Sequence, residues 1–268
     1  LTKPIMGLAS AAKSLARGNF QTKVQIRTGD ELQELGDIFN DMGPKLQDNE
    51  RMRHAMEVAK KTQQYLLPEK APRIESYDIS GVSIASDETG GDYYDFIEFL
   101  DVTTDKMGIA IGDVSGHGIG AALLMASARG VIRSQASRYI GELSDLFSLL
   151  NHHLLRDTRE SQFLTLFYGI LDPQSHSLCW CAAGHEPGIR LKRRTGQIEG
   201  LANSGMPLGI TEDASYEIGG PITLEEGDLV LISTDGIRET HNQNRDMFGW
   251  ERLHRLLLDN AHQSTKHI

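Results

Sequence analysis

Apolar residues at alternating steps of three and four open the chain. Ile5, Leu8, Ala12 and Leu15 form one narrow stripe, and Leu32, Leu35, Phe39, Met42 and Leu46 form a second. Stripes of this width pack helix against helix in a coiled coil or bundle. Between them runs GNFQTKVQIRTGDE, with Gly18, then Phe20, Val24 and Ile26 in an extended pattern, and Asp30-Glu31 as a helix start signal. A connector this long suits two parallel helices, because an antiparallel hairpin uses a much shorter loop. Gly43-Pro44 predicts a kink or an end within the second helix, since proline lacks the backbone donor. Residues 47–67 continue as a polar helix with Met52, Met56, Ala59, Gln63 and Leu66 on one seam, and Pro68 and Pro72 stop it. Seven residues beyond Leu46 lies Arg53, not Met52, so the register slips at the junction, and such a slip changes the supercoil locally. The stretch reads either as an ordinary linker helix or as a dimeric signalling helix.

From residue 77 the period changes. Short runs of β type predict strands over 79–85, 93–99, 107–113, 163–171, 178–183, 188–193 and 228–233. Two consecutive helices are predicted over 119–137 and 142–155, and a third starts near 249. Strands at hairpin spacing, interrupted by a pair of helices, predict an α+β fold with antiparallel sheets rather than repeated βαβ units.

Charge sharpens the division. Residues 1–60 hold nine Lys/Arg and eight Asp/Glu, whereas residues 61–268 hold 18 and 29. The acidic second part lacks the clustered cations that a nucleic-acid or anionic-membrane surface requires, and it suits a carboxylate-lined cation site. Cys179 and Cys181 lie two apart on a predicted strand and share a face, too few soft ligands for zinc, so they read as reduced structural side chains. No run of about 18 apolar residues is present to span a bilayer. A start at Leu1 and a close at HQSTKHI lead us to expect a fragment open at both ends.

Three acidic motifs carry the chemistry. Gly90-Gly91-Asp92-Tyr93-Tyr94-Asp95 opens a strand; Ile111-Gly112-Asp113-Val114-Ser115-Gly116-His117-Gly118 closes another; Leu231-Ile232-Ser233-Thr234-Asp235-Gly236-Ile237-Arg238-Glu239 closes a third. Any one of them alone is an ordinary Asp-Gly turn. Together they set an aspartate at three boundaries between an apolar strand and a glycine, where the side chain is rigid and the backbone can approach a ligand. Carboxylates gathered there repel unless a cation neutralises them, and oxygen donors favour Mg²⁺ or Mn²⁺ over zinc.

Residues 1–48 resemble a HAMP domain, on Pro4, Gly18-Asn19-Phe20, Asp30-Glu31-Leu32 and Phe39-Asn40-Asp41-Met42. That resemblance implies a parallel homodimeric four-helix bundle behind a transmembrane helix, with this region cytoplasmic at the inner or plasma membrane. Residues 49–72 then form a signalling helix or linker. Residues 73–268 resemble the metal-dependent protein phosphatase (PPM) family in its SpoIIE/RsbU branch. The resemblance runs from Gln63-Gln64-Tyr65-Leu66-Leu67-Pro68 through the three acidic motifs, Ala182-Ala183-Gly184-His185-Glu186-Pro187 and Met206-Pro207-Leu208-Gly209 to Met247-Phe248-Gly249. It implies two antiparallel β-sheets sandwiched between helices, and a protein serine/threonine phosphatase with two Mn²⁺ or Mg²⁺ ions. Asp113 would bridge both ions, Asp92 and the Val114 carbonyl would help hold one, and Asp235 would hold the other. The implied chemistry is in-line attack of water on a phosphoserine or phosphothreonine phosphorus. The implied substrate is a phosphorylated anti-sigma-factor antagonist of STAS type, with no nucleic-acid partner. The family pattern continues to an Asp-Asp-x-Thr strand carrying another metal aspartate, and the sequence stops at Ile268 before it.

His117 reads as a structural or supporting group, His152-His153 as surface and core packing, His185 as a loop-fixing residue, and Ala121–Ala126 as core. Two rival readings fit the sequence less well. A catalytically weak phosphatase fold that only captures a phosphoprotein would not need Asp92, Asp113 and Asp235 together. A phosphoacceptor receiver domain would need βα alternation and a late lysine, and the sequence has neither.

Overall fold

The computed structural model describes residues 2–84, 90–99, 105–158, 162–202 and 205–268, and divides into two compact units, Leu1–Lys60 and Lys61–Ile268. In the first unit, α1 (Thr2–Leu15) and α2 (Glu31–Leu66, which runs on into the second unit) carry the two predicted stripes. Asp30 starts α2 as expected, its carboxylate accepting the Leu32 N–H at 3.0 Å. The connector is stitched to α2 by Asn40, whose side chain accepts from Val24 N at 2.8 Å and donates to Val24 O at 2.9 Å. Ala11, Leu15 and Phe39 form the small core, with Leu8, Phe20, Val24 and Leu46 against it. Ala11 rather than Ala12 faces inward. The helix neither ends nor breaks at Pro44. Phe39 and Leu46 flank the proline and both pack into this core, and burying two such side chains, at about 1.5–3 kcal/mol each, offsets a penalty of about 3 kcal/mol.

The second unit is a four-layer sandwich. One antiparallel sheet has the order β1-β2-β3-β4-β7, built from β1 (Tyr93–Glu98), β2 (Met107–Val114), β3 (Leu164–Asp172), β4 (Ser177–Ala183) and β7 (Ile218–Thr223). The other has the order β6-β5-β8, with β5 (Gly188–Lys192), β6 (Gln197–Leu201) and β8 (Leu229–Leu231). Alternation along the strands separates the layers. Leu166, Tyr168, Ile170, Cys181 and Ala183 face α3 (Ile119–Gln135) and α4 (Leu143–Asp157), whereas Phe167, Leu171, Leu178 and Trp180 face the second sheet. On the far side of the second sheet, Ile189 and Leu191 pack on Leu253 and Leu257 of α6 (Gly249–Asn260). Cys179 and Cys181 are free and both belong to the helix-facing side, as their spacing predicts.

Four elements depart from the sequence reading. Residues 79–84 form no strand, and Val82 and Ile84 are exposed; residue 85 lies outside the described residues. The strands β6 and β7 were not predicted, nor was the short helix α5 (Asp235–Glu239).

Candidate functional site

The β1–β2 pair is built to bring two of the predicted aspartates together. Tyr93 pairs with Gly112, so one further step along this antiparallel register sets Asp92 opposite Asp113 and Gly91 opposite Val114. The next backbone bond agrees, with Val114 N donating to Gly91 O at 3.3 Å. Gly91 has to be glycine: a Cβ there would collide with the Val114 carbonyl oxygen and lie 2.8 Å from both Asp113 Oδ1 and Val114 N. Beyond Val114, Gly116 and Gly118 take φ of 88° and 85°, which turns the chain sharply into α3. Asp235 enters from the other sheet, as the first residue of α5 just after β8.

Each of the three carboxylates holds its proton more tightly than an ordinary aspartate. Burial first, and then the charges of Asp92 and Asp235, together push Asp113 up to about 6. Asp92 is raised by burial and by Asp235, with the Thr234 hydroxyl drawing it partly back. Asp235 is raised by burial, then by Glu239 and Glu186, against the pull of Arg238. Three strand-end or helix-start carboxylates thus lie within one another's fields with too little positive charge to balance them. That excess, the all-oxygen donor set and the glycine that opens the Val114 carbonyl fit a hard divalent cation. Among the described residues, no three His, Cys, Asp or Glu side chains stand close enough to form a ready-made cage.

Residues 103–268 match the family described as Stage II sporulation protein E (SpoIIE), and residues 1–48 match the HAMP domain. The chain belongs to the SpoIIE family. Its phosphatase-type domain is 31% identical over 195 residues to phosphoserine phosphatase RsbU of Bacillus subtilis (strain 168), covering 73% of this chain and 56% of RsbU. It is also similar to the RsbU and RsbW domains of Rv1364c from Mycobacterium tuberculosis, at 26% identity and a TM-score of 0.54, covering 67% of this chain and 48% of that one. The SiaA-PP2C domain of Pseudomonas aeruginosa superimposes with a TM-score of 0.65 over 82% of this chain and 87% of its own, and at 19% identity it speaks for the fold alone. The chain spans about half the length of the curated relatives it matches.

Around the SpoIIE-type site, the histidines take different places. His185 is buried behind Asp113, its Nδ1 3.3 Å from Thr165 Oγ1, which itself reaches the Asp113 carbonyl at 3.4 Å. Burial pushes its imidazole down to about 4, only partly offset by the Ser233 backbone, and Nε2 makes no hydrogen bond of normal geometry. His117 is exposed. His152 and His153 are both exposed, with His152 Nε2 3.4 Å from Glu212 Oε1, so neither joins the core.

Two functional contacts escaped the sequence reading. Asp95 sits three residues past Asp92, hence on the opposite face of the strand, fully buried toward α3. Arg133 grips it in a two-pronged bond, Nε to Oδ2 at 2.6 Å and Nη2 to Oδ1 at 2.7 Å, and Tyr93 donates to Oδ2 at 3.1 Å. The second contact joins Arg238 to Glu186, residues that are 52 apart in sequence. The odd spacing of Asp92 and Asp95 was a usable signal for the first; nothing local signalled the second.

Proposed function

We propose that this chain is the phosphatase output of a membrane-bound bacterial receptor, removing phosphate from serine or threonine of a partner protein. The observation that carries this reading is that Asp92 and Asp235 raise the proton affinity of Asp113, and Asp235 that of Asp92, at the ends of their elements in a SpoIIE-family domain. In it, Asp113, with Asp92 and the Val114 carbonyl on one side and Asp235 on the other, would hold two Mn²⁺ or Mg²⁺ ions. Bound ions of this kind activate water near neutral pH and offset charge on phosphoryl oxygens. The chain's own part is to offer these oxygens from two strand ends and the start of α5, so that little reorganisation is needed when phosphate arrives. Similarity to RsbU, which is named as a phosphoserine phosphatase, supports the reaction class. The substrate we propose is a STAS-type anti-sigma-factor antagonist, as the resemblance to the SpoIIE/RsbU branch implies.

The test uses the full-length protein and a phosphoserine peptide. Asp113→Asn is expected to lower Mn²⁺-dependent hydrolysis by at least about 100-fold, a scale set by losing a charge-stabilising group in a water-excluded site, and EDTA to abolish it. Full turnover in EDTA, or a near-normal Asp113→Asn enzyme, sinks the proposal. Binding of the phosphopeptide without any turnover would instead favour the non-catalytic capture module.

The HAMP match supports a parallel homodimer and a membrane setting, although among the described residues no helix is long and apolar enough to cross a bilayer. Ile5, Leu35 and Met42 belong to the predicted stripes yet are 52%, 48% and 41% exposed in the single chain, which leaves a face for a second copy. Light scattering should therefore find a dimer that Leu35→Glu weakens; a wild-type monomer at tens of micromolar, roughly the scale of weak helical association, counts against it.

A further inference from the structure

Asp235 is the least supported of the three carboxylates. It opens α5, a helix of five residues with none buried and no side-chain cap at its start. A helix so short does not hold itself in water. Outside contacts must therefore fix its direction, and one side chain supplies most of them. Arg238, one turn beyond Asp235, donates from Nε and Nη2 to Glu186 Oε1 at 3.0 and 2.6 Å. Nη2 also donates to Glu239 Oε1 at 2.8 Å, and the guanidinium carbon lies 5.9 Å from the centre of the Trp250 ring on α6. Glu186 in turn is planted in the loop that follows β4, directly after buried His185. One guanidinium thus ties the loop after β4, α5 and α6 together.

We propose that the Glu186–Arg238 pair is a positioning clamp that sets Asp235 for divalent-cation binding. The clamp rests on the reading of Asp235 as a metal ligand given above. Its signature separates it from a plain charge effect. By charge alone Arg238 repels a cation and Glu186 attracts one, so removing the arginine would tighten binding and removing the glutamate would weaken it. A clamp requires both removals to weaken binding, because each frees the same helix. It also requires the planar fork, which lysine lacks.

The experiment measures Mn²⁺ affinity of the full-length protein by titration calorimetry, with Mn²⁺ alone and no substrate. Glu186→Ala and Arg238→Ala are each expected to weaken binding about 10-fold, the usual cost of losing a group that orients a ligand. Arg238→Lys should fall with them. The exchanged pair Glu186→Arg with Arg238→Glu should recover most of the loss, as coupled residues do. Tighter binding by Arg238→Ala, unchanged binding by both single variants, or an exchanged pair no better than the worse single variant overturns the clamp. The two side chains are 23% and 27% exposed, so the domain should stay folded, and the exchanged pair reports on the clamp even where a single variant melts earlier. Asp235→Asn separates this proposal from its premise. If that variant binds Mn²⁺ like the wild type, Asp235 is no ligand; if it loses affinity while the clamp variants keep theirs, only the clamp fails.

Discussion

Gly91 shows how much of a site can depend on a missing atom. Its carbonyl takes the last rung of the β1–β2 ladder, and its bare Cα leaves the Val114 carbonyl and Asp113 carboxylate unobstructed. A methyl group there must displace one of them. Gly91→Ala is thus expected to weaken Mn²⁺ binding by roughly 10- to 100-fold with a much smaller effect on thermal unfolding. Titration beside a melting curve checks it, and unchanged affinity would mean that the Val114 carbonyl takes no part. Residues of this kind are readable in advance, because glycine and aspartate recur together at strand ends in three motifs. The Arg238–Glu186 contact was not readable. A salt bridge spanning 52 residues depends on where β4 and α5 finish in space, and neither local pattern nor spacing encodes that.

Among the elements, legibility follows burial. Strands β1 to β5 alternate between two packed faces, so their apolar spacing announced them. β6 (QIEGL) and β7 (IGGPIT) are edge strands with few buried positions, and proline in β7 is tolerated only because it lies at an edge. The run over 79–84 has strand-like residues, but among the described residues it pairs with no strand. Between elements, the Asp95–Arg133 bond fastens α3 to the strand that presents Asp92, and its two ends are unequal: the carboxylate is fully buried and the guanidinium side chain is 45% exposed. Losing the arginine leaves a buried charge met by the neutral Tyr93 hydroxyl and Phe96 N–H and by the more distant cation of Arg129, at 3.6 Å. Losing the carboxylate's charge leaves an arginine that water can reach. Arg133→Ala should therefore destabilise the domain by about 3 kcal/mol, more than Asp95→Asn does. Chemical denaturation checks the order, and the reverse order would show that Arg129 alone satisfies the carboxylate.

At the scale of the whole molecule, α2 ends beside the loop that leads to Asp92. Gln63 donates to Gly90 O at 2.5 Å and accepts from Gly90 N at 3.4 Å, two residues before Asp92. Rotation of this helix end would be felt directly by that loop. One residue inserted after Gln47 rotates everything beyond it by about 100°, whereas seven nearly restore the face. We expect the single insertion to change phosphatase activity of the full-length protein by about 10-fold or more, the scale of a misplaced reacting group, and the seven-residue insertion to change it little. Equal effects would reduce α2 to a tether.

The path of the chain between the two sheets has a thermodynamic consequence. After β4 the chain crosses to lay down β5 and β6, returns to add β7 to the first sheet, then crosses again for β8. Neither sheet is finished until the other is nearly so, and the hydrophobic layer between them has no half-built form that shields it. We therefore expect the layers of the second unit to melt together, as a single transition. The contacts that close it join distant parts of the sequence, so it assembles slowly. Divalent ions that bind only the finished fold would then raise the temperature of that single transition as a whole, linking occupancy of a few oxygens to the survival of every layer.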